Sequence, residues 1–127
     1  MGSQILLDST VLIAGLSESD KRFKEAREIF TENSRATIAI SSISVTETLV
    51  RPFALGPIQG ERVASAIQAL VGSVISFEKE HAILASKIRA TMKARTFDSM
   101  IIATALINNL QLVTFDRKMM GVYERSK

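Results

Sequence analysis

The sequence predicts an α/β fold, with a mainly parallel sheet of four to five strands covered by helices on both faces. The first observation behind this is that short apolar runs alternate with longer amphipathic ones along the chain. The second is that the stretches between the apolar runs are long enough for a helix, which implies right-handed crossovers between parallel strands. The third is that two apolar runs end in an aspartate, Asp8 and Asp116. Those positions are the carboxyl ends of the first and fourth expected strands, where ligands bind in open parallel sheets.

Residues 4–8 read as a buried strand. Residues 19–33 read as a helix, because Phe23, Ala26, Ile29 and Phe30 share one face at helical spacing with charges opposite. Residues 36–40 read as the second strand. A helix follows from about Ser44 to Val50 or Arg51, limited by Pro52. Gly56, Pro57 and Gly60 mark residues 53–60 as a loop. Residues 61–71 form the next helix, and Val74 to Phe77 the third strand. A long helix covers 78–94, with Ala82, Ala85, Ile88 and Met92 in its apolar stripe. An apolar helix covers 97–108 and closes at Asn108-Asn109. Residues 110–114 read as the fourth strand, and Val122-Tyr123 as the place for a short fifth one.

The 127 residues suit one domain, and a hydrophobic fraction of 46% supplies its core. There is no cysteine, which removes disulfides and thiolate metal sites and fits a reducing cytosol. No apolar run approaches the ~18 residues of a membrane span. Met1-Gly2-Ser3-Gln4 has no basic region leading into an apolar stretch, so no signal peptide is expected and a cytoplasmic location is. Gly2-Ser3 is compatible with a cloning remnant. A net charge of +3 and a pI of about 9.5 are compatible with a polyanionic partner such as RNA or DNA.

Four acids stand where a folded chain does not normally spend them. Asp8 lies between Ile5-Leu6-Leu7 and Val11-Leu12-Ile13. Glu47 interrupts Val45 to Val50. Asp98 opens Met100-Ile101-Ile102-Ala103, and Asp116 closes Leu112-Val113-Thr114-Phe115. Each has a structural alternative. Asp8 and Asp116 suit turns. Ser44-Val45-Thr46-Glu47 matches a capping box. Asp98 suits the positive end of a helix that Thr96 would cap. None of these alternatives predicts that all the acids share one edge. Two carboxylates ~4 Å apart in a shielded cleft repel by about 4 kcal/mol at an effective dielectric of ~20, so they take up a proton or a cation. An all-oxygen set suits Mg²⁺ or Mn²⁺ and argues against zinc. Thr10 and Thr114 supply hydroxyls able to orient a carboxylate or a water.

Taken in order, these segments resemble the motifs of PIN-domain nucleases. Asp8-Ser9-Thr10-Val11-Leu12-Ile13 is similar to the opening motif, and Ser44-Val45-Thr46-Glu47 to the second acidic site. Phe97-Asp98 with the following run to Leu106 resembles the third, and Leu112-Val113-Thr114-Phe115-Asp116 the fourth. The likeness runs from about Gln4 to Asp116. It departs in two places: Met92 to Thr96 carries no glycine, and Met119 stands where a phenylalanine often follows the last acid. The resemblance implies a parallel five-stranded α/β/α sandwich and Mg²⁺- or Mn²⁺-dependent hydrolysis of RNA, with Asp8, Glu47, Asp98 and Asp116 holding the ions. The small size looks most like VapC-type toxins, which implies a small antitoxin partner and a homodimer. No side-chain nucleophile is needed, in keeping with a single histidine, His81, expected at the surface.

Arg51, Lys93, Arg95, Arg117 and Lys118 lie near the acidic motifs and suit RNA phosphates, with solvated surface charge as the alternative. Met119-Met120 and Phe53-Ala54-Leu55 suit either the core or a surface covered by a partner. Among rival readings, a haloacid-dehalogenase phosphatase needs a second aspartate where Thr10 stands. A response-regulator receiver wants paired acids after its first strand. A non-catalytic RNA-binding or scaffold domain has no use for four carboxylates on one edge.

Overall fold

A computed structural model describes residues 4–127. The reading of Gly2-Ser3 falls outside those residues. Strands β1 (Ile5–Leu7), β2 (Ile38–Ser41), β3 (Ser73–Ile75) and β4 (Gln111–Val113) form one sheet in the order β3-β2-β1-β4. Each pairing is parallel. The chain builds outward from β1 through β2 to β3, then crosses back to place β4 on the other side of β1. The reversal lies between β1 and β4, which is where such sheets open a crevice beyond their carboxyl ends.

The strands are almost wholly apolar because both sheet faces are covered. Ile5, Leu7, Ile38 and Ile40 point to one face and pack with Val11, Leu12, Ala26, Ile67 and Val71. These come from α1 (Ser9–Leu16), α2 (Phe23–Glu32), α4 (Pro57–Leu70) and its end. Leu6, Ala39 and Leu112 point to the opposite face and pack with Ala85, Ile88, Ile101, Ile102, Met119 and Val122. These come from α5 (Lys79–Met92), α6 (Thr96–Ile107) and α7 (Arg117–Ser126). The period-two alternation of β1 thus feeds two cores, and the result is the three-layer α/β/α sandwich.

The structure corrects the expected elements in several places. The helix expected to stop before Pro52 continues: α3 runs Ser42–Leu55 with Pro52 inside it. Proline removes one backbone donor, yet the Gly56 N–H still reaches back to the carbonyls of Pro52 and Phe53. The expected loop over 53–60 shrinks to Gly56, whose φ of 150° is a conformation that favours glycine. Pro57 then opens α4 at its first position, where the missing N–H costs nothing.

The tail forms no fifth strand. Asp116 caps α7 by accepting the Met119 N–H at 3.1 Å. Met119, Val122 and Tyr123 recur at helical spacing and bury one face. A further helix, α1, follows directly on Asp8, a position for which the sequence reading assigned no element. His81 is also not a surface residue. It is 2% exposed, and its Nδ1 accepts the Glu78 N–H at 2.7 Å as part of a cap on α5. The first turn of α5 lies against α6, which draws the imidazole inward beside Asn108.

Candidate active site

Asp8 is the first residue beyond β1 and the N-cap position of α1. Its N–H donates to the Val113 carbonyl at 3.0 Å, which fastens it to the end of β4. The side chain is 4% exposed and is surrounded by hydroxyls. Thr10 Oγ1 donates to Asp8 Oδ2 at 2.6 Å, and Thr114 Oγ1 donates to the same oxygen at 2.8 Å. Ser9 Oγ stands 3.5 Å from Oδ1. Thr114 Oγ1 also accepts the Asp116 N–H at 3.0 Å. One threonine therefore ties together two acids that are far apart in sequence. Buried carboxylates persist where hydrogen bonds satisfy them.

Glu47 reaches this edge from α3. The N-cap of that helix is Ser41, whose hydroxyl accepts the Ile43 N–H at 3.1 Å, so Ser44 and Glu47 form no capping box. The Glu47 side chain is half-buried and hydrogen-bonded to Ser9. Burial raises its pKa above the ordinary glutamate value, and the charges of Asp8 and Asp98 push the same way. Asp98 lies in the first turn of α6, for which Arg95 rather than Thr96 is the N-cap residue. Burial raises the Asp98 pKa as well, with Asp8 and Asp116 contributing, and this outweighs the opposing hydrogen bond from Arg95.

Asp8, Glu47, Asp98 and Asp116 line one cleft of about 220 Å³, together with Ser9, Thr10, Arg95, Thr96 and Phe97. Arg95 closes the arrangement. Its Nε donates to Asp98 Oδ2 and its Nη2 to Asp116 Oδ2, both at 3.0 Å. Among the described residues, no three acidic or histidine side chains stand close enough to hold one metal ion in this arrangement. The cleft nevertheless suits a cation. Its donors are oxygens, two of its acids resist ionisation because they are partly buried beside other carboxylates, and two of them already grip a guanidinium. Asp8, Glu47, Asp98 and Asp116 are the carboxylates this cleft would offer a divalent ion, and oxygen is the ligand type that Mg²⁺ and Mn²⁺ prefer.

The predicted basic residues divide. Arg95 lines the cleft, whereas Arg51 lines a separate groove with Ile13, Asp20 and Val63, as well as Glu47. Lys93, Arg117 and Lys118 are exposed, Lys93 at the left-handed end of α5 and the others in the first turn of α7. Sequence reasoning missed Ser9, which hydrogen-bonds to Glu47, and Phe97, which is 54% exposed at the cleft wall. Phe97 leads an apolar helix and reads as core. Only its position one residue before Asp98 hints otherwise.

The sequence profile of the PIN domain matches residues 5–124. No curated protein matches the chain in sequence. Solved structures are similar over nearly the whole chain. FitAcB from Neisseria gonorrhoeae is 20% identical, with a TM-score of 0.79, covering 95% of this chain and 94% of its own. A toxin–antitoxin complex from Klebsiella pneumoniae is 25% identical, with a TM-score of 0.77 and coverage of 92% and 90%. VapC20 from Mycobacterium tuberculosis, described as a sarcin–ricin loop cleaving toxin, is 15% identical, with a TM-score of 0.79 and coverage of 93% and 94%.

Proposed function

The chain belongs to the PIN-domain family, and on that premise we propose that it is a metal-dependent endoribonuclease acting as the toxin of a toxin–antitoxin pair. One observation carries the proposal: acids from four separate segments line a single cleft at the point where the sheet order reverses. A bound Mg²⁺ or Mn²⁺ supplies activation of a water for in-line attack and charge neutralisation on the phosphate.

The chain's own residues do the rest. Thr10 and Thr114 hold one oxygen of Asp8, and only the more distant Ser9 hydroxyl stands near the other. Thr114 fixes Asp116 through its N–H, so the acids at the ends of β1 and β4 move as a unit. Ser9 orients Glu47. The raised pKa values of Glu47 and Asp98 mark acids that gain from a cation nearby. The exposed Phe97 ring offers a stacking surface for an unpaired base, the usual way proteins grip single-stranded RNA. Arg51, Lys93, Arg117 and Lys118 are available to phosphates outside the cleft.

The Klebsiella pneumoniae neighbour is a toxin–antitoxin complex and VapC20 is described as a sarcin–ricin loop cleaving toxin; both descriptions support the same roles here. Val50, Phe53, Leu55 and Ile58 are exposed around the α3–α4 turn, a surface suited to an antitoxin or a second copy. No helix among the described residues is long and apolar enough to cross a membrane, and an RNA substrate fits a cytoplasmic setting.

The experiment is to incubate the purified protein with transfer, ribosomal and messenger RNA, with and without Mg²⁺ or Mn²⁺. Asp8→Asn serves as the control, since an amide oxygen can still accept from Thr10 and Thr114. Metal-dependent cleavage by the wild type, lost in Asp8→Asn with an unchanged circular dichroism spectrum, is expected. Full activity of that variant would refute the assignment. A scaffold reading draws on Arg95, which would then be the permanent counter-ion of Asp98 and Asp116; it requires that Mn²⁺ find no site.

A further inference from the structure

Arg95 is the one guanidinium lining the cleft, and its placement is specific. It precedes α6 with extended backbone, at φ −66° and ψ 155°, so its side chain starts at the helix mouth rather than along the helix. From there the fork spans two carboxylates on different elements. Asp98 belongs to α6 itself, and Asp116 lies 21 residues away at the cap of α7. The arginine side chain is 74% exposed, while Asp98 and Asp116 are 21% and 25% exposed. The acids are thus fixed in the wall, and the arginine lies over them from the solvent side.

We propose that Arg95 is an exchangeable cover for the cation site: it neutralises Asp98 and Asp116 when the cleft holds no metal, and becomes a phosphate contact when a divalent cation displaces it. This rests on the metal-dependent reading above. The argument has three steps. A divalent ion and a guanidinium compete for these carboxylates, because like charges at that distance repel. Exposed ion pairs are individually weak, so Arg95 leaves at small cost. Once released, its backbone keeps it at the cleft mouth, where a substrate phosphate must enter. A guanidinium binds phosphate through paired N–H groups, and this geometry is already turned toward anions. Metal and RNA binding are therefore linked through one side chain: the cation frees Arg95, and a phosphate that holds Arg95 keeps it off the acids.

The test compares wild type, Arg95→Ala and Arg95→Lys for Mn²⁺ binding by titration calorimetry, with no substrate present. Lys87→Ala controls for loss of an exposed charge. Arg95→Ala is expected to bind Mn²⁺ about three- to tenfold more tightly, from the loss of two exposed ion pairs. Arg95→Lys should fall between, since a point charge cannot span both carboxylates. Lys87→Ala should match the wild type. A second measurement uses a cleavage-resistant single-stranded RNA analogue. Mn²⁺ should strengthen its binding to wild type more than to Arg95→Ala. Equal Mn²⁺ affinity in wild type and Arg95→Ala, or equal tightening in Arg95→Ala and Lys87→Ala, overturns the exchange while leaving the metal-dependent reading intact. Absence of Mn²⁺ binding in every variant overturns that reading and the exchange together.

Discussion

Thr114 joins two of the acids that line the cleft. It donates to Asp8 and accepts from the Asp116 backbone, at 2.8 and 3.0 Å. Thr114→Val keeps the shape and removes both bonds. It should cost about 1–2 kcal/mol in urea denaturation and weaken Mn²⁺ binding. Glu47 makes the opposite prediction. Its pKa is raised in the folded protein by burial first and by Asp8 and Asp98 next. The stabilising contribution of the neutral acid is present below its ordinary value of 4.5 and is lost as pH rises through the higher folded value. At neutral pH the ionised side chain therefore strains the fold. Glu47→Gln, which mimics the neutral acid, should melt higher than wild type at pH 7.5 in chelator. The gain stays within about 1 kcal/mol because solvent screens a half-buried group. Scans at falling pH should show it vanish below pH 4.5. The acids were legible in the sequence because carboxylates inside apolar runs are anomalous. The bridging role of Arg95 was not, because it depends on Asp116, 21 residues away.

At the scale of elements, the strands were legible to within a few residues because continuous apolar runs of that length fit a sheet covered on both faces. Three elements were not, each for a physical reason. Val11-Leu12-Ile13 carries no period, since Ile13 on the exposed side of α1 is as apolar as its buried neighbours. Pro52 reads as a stop, but α3 packs along α4 and the helix outlasts one lost hydrogen bond. Val122-Tyr123 has strand propensity, yet only a helix places Met119 in the same core. Gly72 shows how tightly the sheet edge is set. Its N–H donates to the Ile38 carbonyl at 2.9 Å, and an added Cβ would run into the Arg35 backbone carbonyl. Gly72→Ala should therefore destabilise by about 1–3 kcal/mol, since the Arg35-Ala36 backbone it meets cannot swing aside as a side chain would. Chemical denaturation measures it, and an unchanged midpoint would contradict the packing described.

At the scale of the whole molecule, the last helix completes the core. Met119, Val122 and Tyr123 are buried to 5% exposure or less, and Tyr123 Oη donates to the Leu110 carbonyl at 3.2 Å. Removing buried side chains of this size costs about 2–5 kcal/mol each, against a total stability of roughly 5–15 kcal/mol for a domain. A chain truncated after Phe115 should lose its cooperative thermal transition and bind a hydrophobic dye; a sharp transition in that truncation would refute the account. The tie from Thr114 to Asp8 spans 106 residues. A ribosome making this chain finishes Asp8 and Glu47 well before β4, Thr114 and Asp116. Translation therefore leaves the cleft for late assembly: an emerging polypeptide that stops at Asp98 carries three of the acids but lacks the strand and the hydroxyl that fasten them to the fourth.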